Sequence, residues 1–278
     1  MDDDRTDREA AGRQAADRAL LGVGGTDSRS FLQGLVTNDV RRLEAGPVYA
    51  ALLSPQGKYL FDFFIGLDPA DPARLLLDVA ADRVEALARR LGMYRLRADV
   101  AVAADPRSVV TGFGPPPAGA FADPRDPRLG WRLWTGDAAG ALAGMAPLEA
   151  EAALRRRIAL GVPEAGSELI PDDSYILEMG FERLHGVDFR KGCYVGQEVT
   201  ARMKHKTELR KGLVRVRVAG IPPAPGTEIT SGGRPAGLIG AVAGGQGLAW
   251  LRFDRAGGPL LAGAAELSVE PGDLPGAG

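Results

Sequence analysis

The sequence predicts an α+β fold that ends in a small β-barrel, and three features of its 278 residues point that way. The first part of the chain orders a hairpin, a further strand, a helix and a strand, a mixed unit and not an alternating doubly wound sheet. From Leu213 onward, short apolar runs alternate with glycine and proline turns, the texture of a small barrel or sandwich. Glycine is abundant at 38 residues, about twice its average share, which asks for many tight turns and short strands.

Residues 1–16 are charged and alanine-rich without a core face, so a frayed start is expected. Ala19-Leu20-Leu21-Gly22-Val23 suits a first strand, ended by Gly24-Gly25. Thr26, Asp27 or Ser28 can then cap a short helix that turns Phe31, Leu32 and Leu35 to the core. Val48 to Leu53, the turn Ser54-Pro55-Gln56-Gly57, and Tyr59 to Leu67 read as a hairpin. Leu75-Leu76-Leu77 is a buried strand, and Val84, Leu87, Ala88 and Leu91 repeat at helical spacing before the strand Val100-Ala101-Val102. The proline-rich residues 114–130 read as a surface loop or subdomain junction. Glu149 to Leu160 is helical, stopped by Gly161 and Pro163. Strand-like runs at Val214–Val218, Glu228–Thr230, Leu238–Val242 and Leu248–Leu251 build the barrel. The predicted domains are residues 1–207, in two subdomains that join near 106–130, and the barrel, residues 208–278.

Hydrophobic residues make up 45% and charged residues 25%, the balance of a soluble globular protein. A formal net charge of −2 speaks against a mainly electrostatic nucleic-acid binder. No run approaches the 18 or so apolar residues of a membrane span. Met1-Asp2-Asp3-Asp4 opens neither a secretory signal nor an acid-free mitochondrial presequence, and Cys193 is the only cysteine, so a cytoplasmic protein is expected.

The densest unusual segment is Lys191-Gly192-Cys193-Tyr194-Val195-Gly196-Gln197-Glu198. Two glycines let the backbone bend around a thiol, and Lys191, Arg202, Lys204 and Lys206 set positive charge in the neighbourhood. A helix over Gln197–Lys206 would also point its N-terminus toward Cys193, and both effects favour thiolate. The plainer reading is a buried cysteine acting as a small hydrophobe. His185 and His205 are the only imidazoles available for a cysteine–histidine hydrolase, and with Cys193 they match no recognised metal-site spacing, so no metal is expected. Asp62 is the second point of interest: period-two alternation puts Leu60, Asp62 and Phe64 on one face, where a carboxylate must meet a partner or a ligand cavity unless the strand is an edge in solvent. Gly22-Val23-Gly24-Gly25 lacks a phosphate-cradling pattern, and Arg155-Arg156-Arg157 leaves at most one arginine to pair with a carboxylate.

The Lys191–Glu198 segment, continued by Val199-Thr200-Ala201-Arg202, resembles the signature of YgfZ-type folate-binding proteins, relatives of the glycine-cleavage T-protein whose mitochondrial counterparts act late in iron–sulfur cluster assembly. Phe31 to Val40 resembles the N-terminal motif shared with aminomethyltransferases; Leu53-Ser54-Pro55-Gln56-Gly57-Lys58 resembles the family hairpin turn, and Arg157-Ile158 with Gly161-Val162-Pro163 the segment before the signature. The resemblance implies an aminomethyltransferase-like fold and a tetrahydrofolate (or one-carbon derivative) site carried by Asp62, Asn38, Arg157 and Asp173. Asp62 matches the catalytic aspartate of the transferases. Cys193 stands where the transferases carry aspartate, and Ala159 where they carry a pterin-holding glutamate, with Asp173 keeping acidity at a neighbouring position. The expected function is support of iron–sulfur cluster assembly or repair, with Cys193 as the functional thiol and client enzymes or assembly proteins as partners. A true aminomethyltransferase and a folate-binding module without chemistry are the alternatives.

Overall fold

The computed structural model describes residues 9–206 and 208–275. The described residues form two compact units: the first takes those up to Gln56 with Leu60–Glu149 and Glu182–Gln197, the second Gly57–Tyr59, Ala150–Phe181 and those from Glu198 on.

Among the described residues of the first unit, two five-stranded sheets form. The chain enters through β1 (Ala11–Gln14), β2 (Arg18–Gly24) and a short helix α1 (Ser28–Gln33). The hairpin β3 (Val48–Leu53) and β4 (Tyr59–Asp68) follows, then β5 (Asp71–Ala80), helix α2 (Val84–Arg95) and β6 (Ala101–Asp105). The sheet order β3-β4-β5-β2-β6 buries Leu21, Val23, Phe63, Ile65, Leu75 and Leu77 together with Leu87 and Leu91 of α2. Those two leucines stand four residues apart, one turn along a single helix face, as the spacing predicts. At α1 the capping expectation differs: Asp27 makes no side-chain cap, because its carboxylate instead accepts the backbone N–H of Asp99 at 2.8 Å.

The second sheet corrects two expectations. Residues 11–14 are not frayed: β1 pairs antiparallel with β7 (Ser108–Phe113) and parallel with β10 (Ala146–Pro147). A four-residue strand is too short to show a period in sequence; residues 1–8 of that expectation lie outside the described residues. Nor is 114–130 only loop, since β8 (Phe121–Ala122) pairs with β9 (Trp131–Thr135) and Asp123 and Arg125 are buried. Gly112 lets this sheet close, because a Cβ there would lie 2.2 Å from the Trp131 ring and 2.3 Å from the Ala11 carbonyl. A buried charge layer joins the sheets: Asp78 of β5 accepts Arg18 at 2.7 Å and Arg132 of β9 at 2.8 Å, and Arg132 also reaches Asp123 at 3.0 Å.

In the second unit, β11 (Lys211–Ala219), β12 (Glu228–Ser231), β13 (Arg234–Ala243), β14 (Gln246–Arg252), β15 (Leu260–Ala262) and β16 (Ala265–Val269) close a barrel in the order β11-β14-β13-β12-β15-β16. Its interior is Val214, Val216, Ile229, Ile239, Leu251 and Leu267. The barrel starts three residues past the expected boundary at 208, and the unit around it also takes residues 150–181. The helix over Ala150–Ala159 explains this, because its Ile158 packs with Ala241 and Leu248 of the barrel strands. That helix is α4, following a single turn α3 at Ala138–Ala141, and α5 is the expected helix Gln197–Lys206.

Candidate functional site

The two motifs singled out in sequence meet in the first unit. Lys191 is buried, and its ammonium donates to the Gln33 carbonyl at 2.8 Å and to that of Val36. Thr37 donates to the Gly186 carbonyl at 2.6 Å and accepts the N–H of Ala51 at 2.8 Å. Asn38 donates to the carbonyls of Tyr49 at 2.7 Å and His185 at 2.6 Å while its own oxygen accepts the N–H of Asp39. The N-terminal motif is therefore a dock for the segment that carries the cysteine, built from side-chain bonds to backbone groups that would otherwise be buried unpaired.

Within the signature, burial alternates with exposure. Lys191 and Tyr194 are buried, the ammonium lying 5.1 Å from the ring centroid, while Gly192 and Cys193 between them are exposed. Gly196 has φ +81°, the left-handed turn that redirects the chain, and Gln197 opens α5 with its N–H on the Tyr194 carbonyl at 3.2 Å. Two anchors thus hold a thiol in solvent. The positive charge of Lys191, expected to serve the thiol, is turned instead onto backbone carbonyls, and burial lowers its pKa to about 8. Gly192 needs no special freedom either, since a Cβ there meets nothing within 4 Å. Cys193 is not the buried hydrophobe of the plainer reading.

Asp62 is buried and not an edge residue in solvent, and it has a partner: the Tyr49 hydroxyl donates to it at 3.0 Å. Burial first, then the charge of Asp62, pushes the Tyr49 pKa well above its usual value, so the hydroxyl remains a donor. Tyr49 also lines a cleft of about 450 Å³ with Asn38, Glu182, His185, Phe189 and Arg190, whereas Asp62 does not line it. At this cleft Arg42 pairs with Asp188 at 3.0 Å, and the Arg190 N–H is accepted by the same carboxylate at 2.7 Å. Sequence reasoning missed Tyr49, and the available signal was a hydroxyl-bearing aromatic in an otherwise apolar strand.

The other two expected folate residues lie in the second unit. Arg157 is buried and donates to Glu168 at 2.8 Å and to the Val162 carbonyl at 2.7 Å. Glu168, not singled out in sequence, also accepts from Ser167 at 2.8 Å, the Glu164 N–H at 3.0 Å and the Ala241 N–H at 2.8 Å. Arg157 is thus one arm of a carboxylate hub that ties α4 to the barrel. Asp173 is exposed, and its carbonyl accepts the Lys58 ammonium. Glu198 is exposed and pairs with Arg202 one turn along α5 at 2.7 Å.

The fold defines the class. The structure superposes on the glycine cleavage system aminomethyltransferase T from Bartonella henselae with a TM-score of 0.76 at 16% identity, covering 97% of this chain and 87% of that one. Residues 210–275 match the family described as CAF17, C-terminal beta-barrel domain. In sequence the chain is 35% identical to the human (Homo sapiens) iron–sulfur cluster assembly factor IBA57, mitochondrial, over 90% of this chain and 79% of that protein. Against its mouse (Mus musculus) counterpart the figures are 34%, 87% and 78%. The chain belongs to the IBA57 family, on an aminomethyltransferase-like fold closed by a barrel of the CAF17 type. The cytoplasmic expectation is corrected by the same comparison, because these relatives are named as mitochondrial proteins; an acidic opening is a weak guide to compartment.

Proposed function

We propose that this chain supports assembly or repair of iron–sulfur clusters in client enzymes, as a YgfZ-type folate-binding member of its family, with Cys193 as the functional thiol. The observation that carries this reading is the presentation of Cys193 in solvent between two buried anchors, on a chain related to iron–sulfur cluster assembly factors. A thiolate is a ligand for iron, and one cysteine supplies one of the four protein ligands a cluster takes, so the remainder would come from a partner. Among the described residues no group of three or more His, Cys, Asp or Glu is gathered to hold a metal ion. A hand-off surface needs an accessible sulfur of this kind, not a resident site.

The cleft of the first unit fits a reduced folate in size and chemistry. At about 450 Å³ it lies within the usual range for small-molecule pockets. Phe189 offers aromatic surface to a pterin, Glu182 a carboxylate for its aminopyrimidine edge, and Arg42 and Arg190 positive charge for the glutamate tail. When bound, a reduced folate supplies a nitrogen able to carry a one-carbon unit. Asp62 does not line this cleft and accepts the buried Tyr49 hydroxyl, which weakens the transferase alternative, since a transferase needs that carboxylate at the accepting nitrogen.

The test is a deletion strain carrying this gene, in which several iron–sulfur enzymes and glycine cleavage are assayed side by side. Restored iron–sulfur activities with no contribution to glycine cleavage are expected. The reverse pattern would make the aminomethyltransferase reading the correct one. Calorimetry of the purified protein with tetrahydrofolate tests the ligand separately.

A further inference from the structure

A second cavity, of about 140 Å³, lies wholly within the second unit. Its walls are mainly apolar, with Trp250, Tyr175 and Ile239 among them. Ile170 and Leu238 also line it, and each is 40% exposed, so two large hydrophobic side chains reach solvent at one small cavity.

Two lysines stand over the aromatic rings of this cavity, with carboxylates beside them. Lys58 lies 3.7 Å from the Tyr175 ring centroid, and Lys211 lies 4.7 Å from that of Trp250. The Trp250 indole N–H donates to Glu178 at 2.9 Å. Burial raises the pKa of Glu178, against the pull of the Trp250 bond, Lys211 and Lys58, with Asp173 adding to the rise. Two further carboxylate residues line the cavity: Glu168 is committed to Arg157, Ser167 and backbone N–H groups, and Asp173 is exposed, its backbone carbonyl accepting one of the three N–H groups of the Lys58 ammonium.

This arrangement selects among ligands. A cation is disfavoured, because both aromatic faces already carry a lysine ammonium. A phosphate is disfavoured too: two lysines are point charges without the fork that grips its oxygens, and a dianion would sit against Glu178. A single carboxylate fits, since it can meet two ammonium groups while setting only one negative charge beside Glu178. We propose that this cavity binds a small apolar monocarboxylate, its carboxylate met by Lys58 and Lys211 and its hydrocarbon body laid against Trp250, Leu238 and Ile170. Such a group comes either as a free acid or as the last residue of a polypeptide.

The experiment is a titration of the full chain, labelled with nitrogen-15 at tryptophan, with benzoate as probe. The Trp250 indole signal should move saturably, while those of Trp131 and Trp134, buried in the first unit, stay still. Neutral benzamide should not reproduce the shift. Lys211→Met and Lys58→Met keep the apolar stems and should each weaken binding about tenfold, the worth of one charge-assisted contact. Glu178→Gln removes a competing negative charge and should tighten it. A tripeptide ending in phenylalanine, compared with its amide, separates the two sources: tighter binding of the free-acid peptide than of benzoate assigns the site to a polypeptide C-terminus. A motionless Trp250 signal up to the solubility limit of benzoate, or equal responses to benzoate and benzamide that folded Lys211→Met leaves intact, would overturn the proposal.

Discussion

Lys191 donates its buried ammonium to the backbone carbonyl of Val36, 155 residues earlier in the chain. With the companion bond to Gln33, this fastens the cysteine segment onto the N-terminal motif and leaves Cys193 in solvent. A lysine in such a signature is easily read as an electrostatic aid to the thiol; here it is an anchor.

Lys191→Met keeps the stem but leaves the buried Val36 carbonyl and the half-buried Gln33 carbonyl without their donor, so a loss of about 1–3 kcal/mol is expected in denaturant unfolding. The loss should depend on pH. The folded pKa is lowered to about 8 from 10.5, so between these values the unfolded chain holds more protons and this group's contribution to stability rises with pH. The stability difference between wild type and Lys191→Met should therefore grow from pH 8 toward pH 10 and be flat below pH 7. A pH-independent difference would place the ammonium elsewhere.

Gly192→Ala separates folding from access. A Cβ at this position meets nothing within 4 Å, so stability should stay within about 0.5 kcal/mol of wild type. If a partner must approach Cys193 closely, the variant should nonetheless support iron–sulfur enzymes poorly in a deletion strain. Full support would show that the glycine is dispensable.

Asp62→Asn is expected to act on stability as well as on folate. The carboxylate accepts the buried Tyr49 hydroxyl and lies in the field of Arg18 and Arg125, so its neutralisation should cost about 1–3 kcal/mol, the range for a buried group that loses its charged partner. Tyr49→Phe removes one hydrogen bond and should cost about 1–3 kcal/mol. Arg190→Ala, at the cleft, should weaken tetrahydrofolate in calorimetry with little change in melting of the free protein. Equal folate affinity in wild type and Arg190→Ala would move the ligand away from this cleft.

Arg157→Ala should unfold the barrel unit more readily, because it strips Glu168 of its cation while that carboxylate still holds Ala241. Hydrogen exchange should report the loss first in α4 and β13. A variant of normal stability and reduced folate binding would restore Arg157 to the ligand site.

The hairpin, α2, α4, α5 and the main barrel strands were legible because their periods are local and repeat over several residues. β1, β8 and β15 were not, since strands of two to four residues carry no period and exist only through their partners. Cys193 was legible as an unusual residue, and Asp62 as an inward carboxylate with a partner to find. The partners were not: Tyr49 for Asp62, Glu168 for Arg157 and two backbone carbonyls for Lys191 are contacts that spacing in the sequence does not encode.

The most direct measurement is complementation by Cys193→Ser. The side chain is exposed, so its change should leave the melting temperature and tetrahydrofolate binding close to wild type. A hydroxyl cannot replace the sulfur as nucleophile or iron ligand at neutral pH, so iron–sulfur enzyme activities in the deletion strain should stay at the level of the empty vector. Full recovery of those activities by a folded Cys193→Ser protein would contradict the assignment of the thiol and leave the cysteine without a part in the function.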